Sequence, residues 1–245
     1  MPRTIRTFFD PISQNSDDFI ELARTESHHL IRVLRLGIGD KVEALDGNGL
    51  IYKTIIEEVN SNNVRLSVLD KKVSTKKPLF FQMCISLIKG NRWEDMIRPL
   101  TELGVNQITP LETDFSESNL KNKNIDERIL KWEKIAQDAC KQSGNPWIPK
   151  FDRPQKFSSV VTNLNDEDDV LFASLSSFSR KCKDIQLKNT EKITIFVGPE
   201  GGWSTKEEAT AKAKGFNFFT FGSNTLRVET AALSGLTVAR ENFLL

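Results

Sequence analysis

The feature that most constrains this chain is an apolar run that ends abruptly in a glycine-rich loop. Residues 194–197 read Thr-Ile-Phe-Val, and Gly198-Pro199-Glu200-Gly201-Gly202 follows them directly. Ser204 and Glu207 then stand three residues apart, the spacing of a capping box at the start of a helix. Glycine allows positive φ and a close approach of the backbone to a ligand. The stretch therefore predicts a strand, a tight ligand-approaching loop and a helix.

A second segment near the end of the chain repeats this pattern. The apolar residues 216–221 run into Gly222, and a helix is predicted from Val228 to Phe243. Two such loops indicate one ligand site built from both. The first loop has neither the Gly-Lys-Ser/Thr ending of a phosphate-binding loop nor a Gly-x-Gly-x-x-Gly dinucleotide pattern, so those nucleotide classes lose their best support. A turn that needs glycine for its geometry alone is the alternative.

The second part of the chain alternates between predicted strands and helices. The strands are expected at 79–88, 105–111, 170–175, 193–197 and 216–221, and the helices at 93–103, 125–142 and 228–243. This alternation predicts an α/β domain with a mainly parallel sheet.

The first part of the chain reads as β-rich. A hairpin is predicted at 41–53, because Asp46-Gly47 and Asn48-Gly49 are typical turn pairs. Short strands are predicted at 53–59 and 64–69. Together with one helix, these strands predict a compact barrel.

That helix is expected from Glu26 to Leu36 and should end at Gly37, with Leu30, Val33 and Leu34 on its apolar face. The basic segment 71–78 closes with a proline and is a predicted linker. The domains are therefore expected at 1–72 and 73–245.

Composition limits the classes of protein. Of the 245 residues, 38% are hydrophobic and 27% charged, enough for a buried core, and no apolar run is long enough to span a membrane. The start, Met1 to Arg6, has no signal-peptide core behind it. Cys84, Cys140 and Cys182 lie far apart without metal-ligand spacing, which favours buried free thiols in the cytoplasm. A net charge of +1 does not by itself indicate a nucleic-acid partner.

Two sets of charged residues are candidates for function. Arg227 and Glu229 stand among apolar residues, where charges are usually paired or functional. A salt bridge at a helix start is the alternative, and it suits Glu229. Lys89 and Arg92 occupy a turn after a strand, where open α/β sheets place ligands, although a solvated basic turn fits equally.

At these loops the sequence resembles the RsmE family of ribosomal RNA uridine-N3 methyltransferases, in the SPOUT superfamily. The glycine loop at 198–202, together with Leu226-Arg227-Val228-Glu229-Thr230-Ala231, looks like the family signature. The resemblance extends over nearly the whole chain. Its further parts are Arg6 with Phe8 and Phe9, His29-Leu30 with Val33-Leu34-Arg35, Gly39-Asp40, Asp46-Gly47, Lys89, Arg92 and Glu102-Leu103-Gly104-Val105.

The resemblance implies a PUA-like RNA-binding barrel followed by a SPOUT domain with a deep trefoil knot. It implies S-adenosylmethionine as the methyl donor, no metal, and a homodimer packed through the knot region. The implied substrate is a uridine near the 3′ end of 16S rRNA in the small ribosomal subunit. The implied cofactor contacts are Leu175, Gly198, Pro199, Glu200, Gly201, Gly202, Phe221, Gly222, Leu226, Thr230 and Ala231.

Chemical roles follow from the same resemblance. Uracil N3 must lose its proton before it can attack a methyl group, and Glu229, or a water it holds, is the hypothesised acceptor. Arg227 would stabilise the negative charge that develops on the uracil oxygens. The candidate phosphate contacts are Arg6, Arg32, Arg35, Lys89 and Arg92, which would position RNA without reading its sequence.

Two departures from the family pattern stand beside these expectations. Asp114-Phe115-Ser116 occupies the place of an Arg-Ser pair, and Asn145 stands where an arginine is expected after Lys141-Gln142. Losing two cations weakens the electrostatic part of RNA binding, unless Lys121, Lys123 and Lys141 compensate. The alternatives are therefore a SPOUT methyltransferase with another RNA target, or a catalytically silent RNA-binding or assembly factor.

Overall fold

The computed structural model describes residues 4–13, 18–60, 63–74, 79–88, 92–116, 124–165, 167–188 and 191–243. The chain forms two compact units. The first comprises Met1–Lys76 and Gln137–Ile148, and the second comprises Lys77–Ala136 and Pro149–Leu245. Residues 137–148 thus join the first unit from the middle of the chain.

Five strands of the first unit form one sheet in the order β1-β3-β4-β5-β2. β1 pairs with β3 in parallel, and the other pairs are antiparallel. The core of this unit includes Leu30, Ala44 and Leu66, each fully buried. The strands are β1 (Arg6–Phe8), β2 (Phe19–Glu21), β3 (Lys41–Leu45), β4 (Leu50–Val59) and β5 (Val64–Val73), and a short helix α1 spans Arg24–His28.

The predicted hairpin is present between β3 and β4, and one side chain organises its turn. The Asp46 carboxylate accepts hydrogen bonds from the backbone N–H of Asn48 at 2.8 Å and of Leu50 at 2.9 Å. Two expectations nearby are wrong. β4 is one strand of ten residues and does not break at residue 53. β5 continues to Val73, so the segment expected to begin a linker at residue 71 still pairs with β4, while residues 75–78 lie outside the described residues.

The helix predicted at 26–36 is shorter and less regular. α1 passes into a π-helical turn, His29–Val33, and Arg35 instead of Gly37 takes the left-handed conformation, with φ 58°. The N–H of Leu36 donates to the Leu30 carbonyl at 3.1 Å, a bond that closes the helix before the glycine. The predicted apolar face is also only partly correct, since Val33 is 57% exposed.

The second unit has the expected architecture. Its strands, all paired in parallel, follow the order β12-β10-β11-β6-β7-β8, with β9 beside β7. The strands are β6 (Phe80–Ser86), β7 (Gln107–Glu112), β8 (Lys150–Phe151), β9 (Gln155–Lys156), β10 (Asp169–Ala173), β11 (Lys192–Val197) and β12 (Asn217–Phe219). The helices are α2 (Arg92–Glu102), α3 (Ile125–Ser143), α4 (Phe157–Thr162), α5 (Thr205–Ala213) and α6 (Val228–Phe243).

The central strands β6, β10 and β11 are nearly fully buried, as their apolar sequences predict for a sheet covered on both faces. β10 and β12 each end two residues earlier than predicted, at Ala173 and Phe219. The residues beyond those ends leave the sheet and enter loops.

The three cysteines form no disulfide and are buried, as predicted. Burial raises the pKa of the Cys84 thiol to about 12 and that of Cys182 to about 11. The structure contains no helix, within its described residues, that is long and apolar enough to cross a membrane.

Thiol reactivity tests this burial. At about pH 8 an aromatic disulfide reagent should react with no cysteine of the native protein in the time it takes to react with all three in denaturant, because only thiolates react. Thiols ionise near pH 8.5 in the unfolded chain but at higher pH in the folded protein. The buried, protonated thiols therefore stabilise the fold below about pH 8.5, and this stabilisation is lost as the pH rises toward the pKa values of the folded protein. Absorbance of the released thiolate measures the reaction, and rapid labelling of the native protein would contradict the burial.

Candidate functional site

Three loops meet at one edge of the parallel sheet. β10, β11 and β12 are neighbours and point the same way, so the loops that follow them leave from the same edge. The backbone N–H of Ser174 donates to the Phe219 carbonyl at 3.0 Å and ties the first loop to the third. Between the loops lies a cavity of about 390 Å³, within the usual size range of small-molecule sites.

Most residues expected to contact a cofactor line this cavity, and a few do not. The lining includes Leu175, Gly198, Pro199, Glu200, Gly202, Phe221, Leu226 and Ala231. Gly201, Gly222 and Thr230 belong to the same segments but are exposed outside the lining.

Sequence reasoning missed several polar or aromatic lining residues. These are Ser174, Ser176, Trp203, Glu208, Asn224 and Thr225. Trp203 and Glu208 follow the glycine motif directly and could have been found by extending that motif into its helix. Ser174 carried no signal, because the strand was predicted to continue to residue 175, and Ser176 follows that predicted end directly.

The glycine loop is held against Trp203. A tight turn closes where the N–H of Gly202, at φ 75°, donates to the Pro199 carbonyl at 2.9 Å. The Trp203 indole stacks on Phe172 with 4.4 Å between centroids, and its Nε1 donates to the Ala173 carbonyl at 2.8 Å. A Cβ at Gly198 would stand 2.9 Å from the Trp203 ring, so glycine is required there by close approach.

The predicted capping box at the start of α5 is confirmed. Ser204 Oγ accepts the N–H of Glu207 at 3.2 Å, and the Glu207 carboxylate accepts the N–H of Ser204 at 2.9 Å. Asp114, from the loop after β7, joins the same cap. Its N–H donates to Glu207 at 3.0 Å, and its carboxylate accepts from Ser204 Oγ at 2.5 Å.

A charged cluster stands beside the cavity. Arg92 Nη1, at the start of α2, lies 2.9 Å from a Glu200 oxygen and 3.9 Å from Glu229 Oε2, at the start of α6. The Glu229 side chain is 23% exposed, yet its Oε2 is buried and has no hydrogen-bond partner among the described residues. Arg227 is exposed. Arg92 therefore lies close to both carboxylates, and Glu229 Oε2 can still accept a proton or a hydrogen bond.

Comparison with known proteins places the chain in a family. A family model for an RNA methyltransferase domain matches residues 75–240, and one for an RNA methyltransferase PUA domain matches residues 22–69. Ribosomal RNA small subunit methyltransferase E 2 of Borreliella burgdorferi is 31% identical, over 85% of this chain and 85% of that protein. Ribosomal RNA small subunit methyltransferase E of Synechocystis sp. is 30% identical, over 86% of this chain and 69% of that protein. The chain belongs to the RsmE family.

A solved structure agrees with this assignment. A methyltransferase from Legionella pneumophila, in complex with S-adenosylmethionine, superimposes with a TM-score of 0.86 and 26% identity, over 98% of each chain. The resemblance to RsmE seen in the sequence is confirmed by the family models and the two relatives. So is an α/β methyltransferase fold that carries a PUA-like domain.

The basic residues that the RsmE resemblance assigned to RNA have different surroundings. Arg32 and Arg35 are exposed. Arg6 is half-buried, and its Nε lies 2.9 Å from a Glu43 oxygen. Arg92 belongs to the charged cluster above, and Lys89 lies outside the described residues.

The two departures from the RsmE pattern have defined contacts. Asp114 extends the cap of α5, and the neighbouring Phe115, 51% exposed, lies against Gly201. In the first unit, the Asn145 side-chain oxygen accepts the N–H of Trp147 at 3.1 Å. Asp114 and Asn145 therefore hold local structure in place, at or beside positions where the pattern has a cation.

Lys141, a candidate to compensate for those cations, is occupied within the first unit. Its Nζ lies 2.8 Å from Glu26 and 3.1 Å from Asp138. Burial by itself lowers the pKa of this ammonium, but the hydrogen bonds and charges of the two carboxylates outweigh it, so the pKa is raised. Lys121 and Lys123 lie outside the described residues. The described part of the chain holds no group of His, Cys, Asp and Glu suited to a metal ion.

Proposed function

We propose that the protein methylates 16S rRNA of the small ribosomal subunit with S-adenosylmethionine, and that the acceptor is N3 of one uridine near the 3′ end of that RNA. The observation that carries the proposal is a three-loop cavity bordered by the Glu229 carboxylate, whose buried Oε2 accepts no hydrogen bond from the described residues. Family membership and the S-adenosylmethionine bound by the Legionella pneumophila protein support it.

The cavity lining suits S-adenosylmethionine, which combines an aromatic base, a ribose diol and a sulfonium cation. Leu175, Phe221 and Leu226 offer apolar surface for the base. The charged side chains in the lining are Glu200 and Glu208, and carboxylates favour a cation over a phosphate. When bound, the cofactor supplies an electrophilic methyl group. The loops at 198–202 and 221–226 would hold the cofactor in place. Such positioning can lower the activation free energy of a reaction by roughly 7–11 kcal/mol.

The chain itself must supply a proton acceptor, because uracil N3 is not nucleophilic while protonated. Glu229 is our candidate, since its Oε2 is buried and has no hydrogen bond among the described residues. Arg92 lies 3.9 Å from that oxygen, within range of electrostatic attraction but too far for a direct hydrogen bond. Arg227, exposed and two residues before Glu229, would stabilise negative charge on the uracil oxygens.

The proposal includes the binding of RNA by both units. The PUA-like domain at 1–72 would contact phosphates through the exposed Arg32 and Arg35 and through Arg6, and the domain at 73–245 through Lys89 and Arg92. Arg6 and Arg92 would first have to leave their carboxylates, so Arg32 and Arg35 should dominate the salt dependence of binding.

We also propose that the end of the chain forms a deep trefoil knot and that two copies pair through it. Two features support the knot. β11 inserts between β10 and β6, and α6 packs back on β6, β11 and α2. A ribosomal substrate would place the protein in the cytoplasm.

The test is methylation of small subunits from a strain that lacks this activity. Purified protein and labelled S-adenosylmethionine should give 3-methyluridine at one position, identified by nucleoside mass spectrometry and mapped by primer extension. A 2′-O-methylated product would contradict the N3 assignment. Binding of the cofactor without methylation of any subunit RNA would instead favour another target or a silent RNA-binding factor.

A further inference from the structure

A cluster of three side chains in the cavity wall has no role in the mechanism above. Ser174 Oγ lies 2.6 Å and Ser176 Oγ 2.8 Å from one oxygen, Oε1, of Glu208. The two serine oxygens are 3.0 Å apart. All three residues line the cavity, and Glu208 reaches it from α5 while the serines follow β10. Two different elements thus converge on one polar corner.

This polar corner has more hydrogen-bond acceptors than donors. Each serine hydroxyl has one proton, and both are used when the hydroxyls donate to Glu208 Oε1. No hydroxyl proton then remains for a hydrogen bond between Ser174 Oγ and Ser176 Oγ. Ser174 Oγ also accepts the backbone N–H of Ser176 at 3.0 Å. Glu208 Oε2 has no hydrogen-bond or ion-pair partner among the described residues. The corner therefore has acceptor capacity to spare and should bind a group that donates.

The two carboxylates of the cavity are not equivalent. Glu200 is bound to Arg92, which also approaches the proposed proton acceptor Glu229. Glu208 is bound to neutral hydroxyls, and no cation contacts it among the described residues. If the reacting methyl group faces Glu229, the methyl-bearing end of the cofactor lies on the Glu200 side. The Glu208 corner then faces the nucleoside part.

We infer that Glu208, positioned by Ser174 and Ser176, binds the ribose hydroxyls of the cofactor. A carboxylate accepts hydrogen bonds from a ribose diol in the same way that acidic residues bind the ribose of dinucleotides. The inference rests on the proposed use of S-adenosylmethionine in this cavity. Glu208, which lies outside the glycine motif, thus contributes to the affinity of this chain for the nucleoside.

Binding of two non-reacting ligands tests the assignment by calorimetry. S-adenosylhomocysteine carries both the nucleoside and the amino-acid tail, whereas 5′-methylthioadenosine lacks the tail. Glu208→Gln should weaken both by a similar factor, roughly 10- to 100-fold, the range for losing a charge-assisted hydrogen bond. The 2′-deoxy analogue of methylthioadenosine should lose less from the same substitution, because one of the two hydroxyls that Glu208 would bind is already absent.

Two controls show whether the weaker binding comes from unfolding or from the loss of any one carboxylate. Glu102→Gln removes an exposed carboxylate at the end of α2 and should leave both affinities unchanged. Thermal unfolding without ligand should show Glu208→Gln folded, since an amide oxygen still accepts from the serines. Weakening of S-adenosylhomocysteine alone would assign Glu208 to the ammonium of the tail and overturn the inference, as would equal losses on the deoxy analogue. If wild-type protein bound none of the three ligands, the proposed function would fail as well.

Discussion

Replacing Glu229 by glutamine is expected to slow methyl transfer by roughly 100- to 10,000-fold, the range for losing a positioned general base. Glutamine keeps the size of the side chain but cannot accept the N3 proton. The buried Oε2 atom has no hydrogen-bond partner among the described residues, so its replacement breaks no hydrogen bond of the fold. Single-turnover methylation of small subunits measures the rate, and calorimetry with S-adenosylhomocysteine should show almost unchanged affinity.

Glu241→Gln is a matched control for the Glu229 substitution. Glu241 lies on the same helix, α6, but near its other end and exposed to solvent. Its replacement should leave both rate and affinity as in the wild type. If Glu229→Gln methylated subunits at the wild-type rate, the proton would have another acceptor and the assigned role would be wrong.

Replacing Gly198 by alanine is expected to lower the free energy of unfolding by roughly 1–3 kcal/mol, the usual cost of inserting a carbon into a packed site. The new Cβ would stand 2.9 Å from Cε2 and 3.0 Å from Nε1 of Trp203. The ring cannot move freely, since it stacks on Phe172 and donates to the Ala173 carbonyl. The displaced loop and ring both line the cavity, so cofactor affinity should fall too. Urea unfolding and calorimetry measure the two effects.

A double-mutant cycle makes the cause of that loss specific. In a Trp203→Phe background the smaller ring removes the indole nitrogen that the Cβ would meet, so Gly198→Ala should cost less there. Gly37→Ala is the control, because nothing lies within 4 Å of the added carbon and its φ is not positive. Equal costs in both backgrounds would show that backbone conformation, rather than contact with Trp203, requires the glycine.

The glycine loop illustrates how far local sequence rules reach. The strand before it, the turn within it and the helix after it were all expected, and the capping box forms both of its hydrogen bonds. Each of these features depends on residues no more than four positions apart. The closing helix α6 was predicted over the same residues, 228–243, for the same reason.

Local sequence rules did not predict three other features of the structure. The helix expected at 26–36 ends early in a π-helical turn, and a non-glycine residue, Arg35, takes the left-handed position. The Asp114 carboxylate, in the segment where the family pattern has an Arg-Ser pair, accepts a hydrogen bond from Ser204, 90 positions away, and so joins the cap of α5. Arg92, a candidate phosphate contact, lies 2.9 Å from a Glu200 oxygen, a contact that no local pattern predicts. The partners of Asp114 and Arg92 lie outside any local window.

The sequence motifs carried the resemblance to the family. Apolar periodicity, glycines and capping residues, which act over a few positions, predicted the alternation of strands and helices and the segments that line the cavity. Only the tertiary structure decided which side chains meet there. The strand order β12-β10-β11-β6 brings the ends of three strands to one edge, so Glu208 reaches Ser174 and Arg92 reaches both Glu200 and Glu229. Such contacts depend on the order of strands in space, and that order leaves no trace in the spacing of residues along the chain.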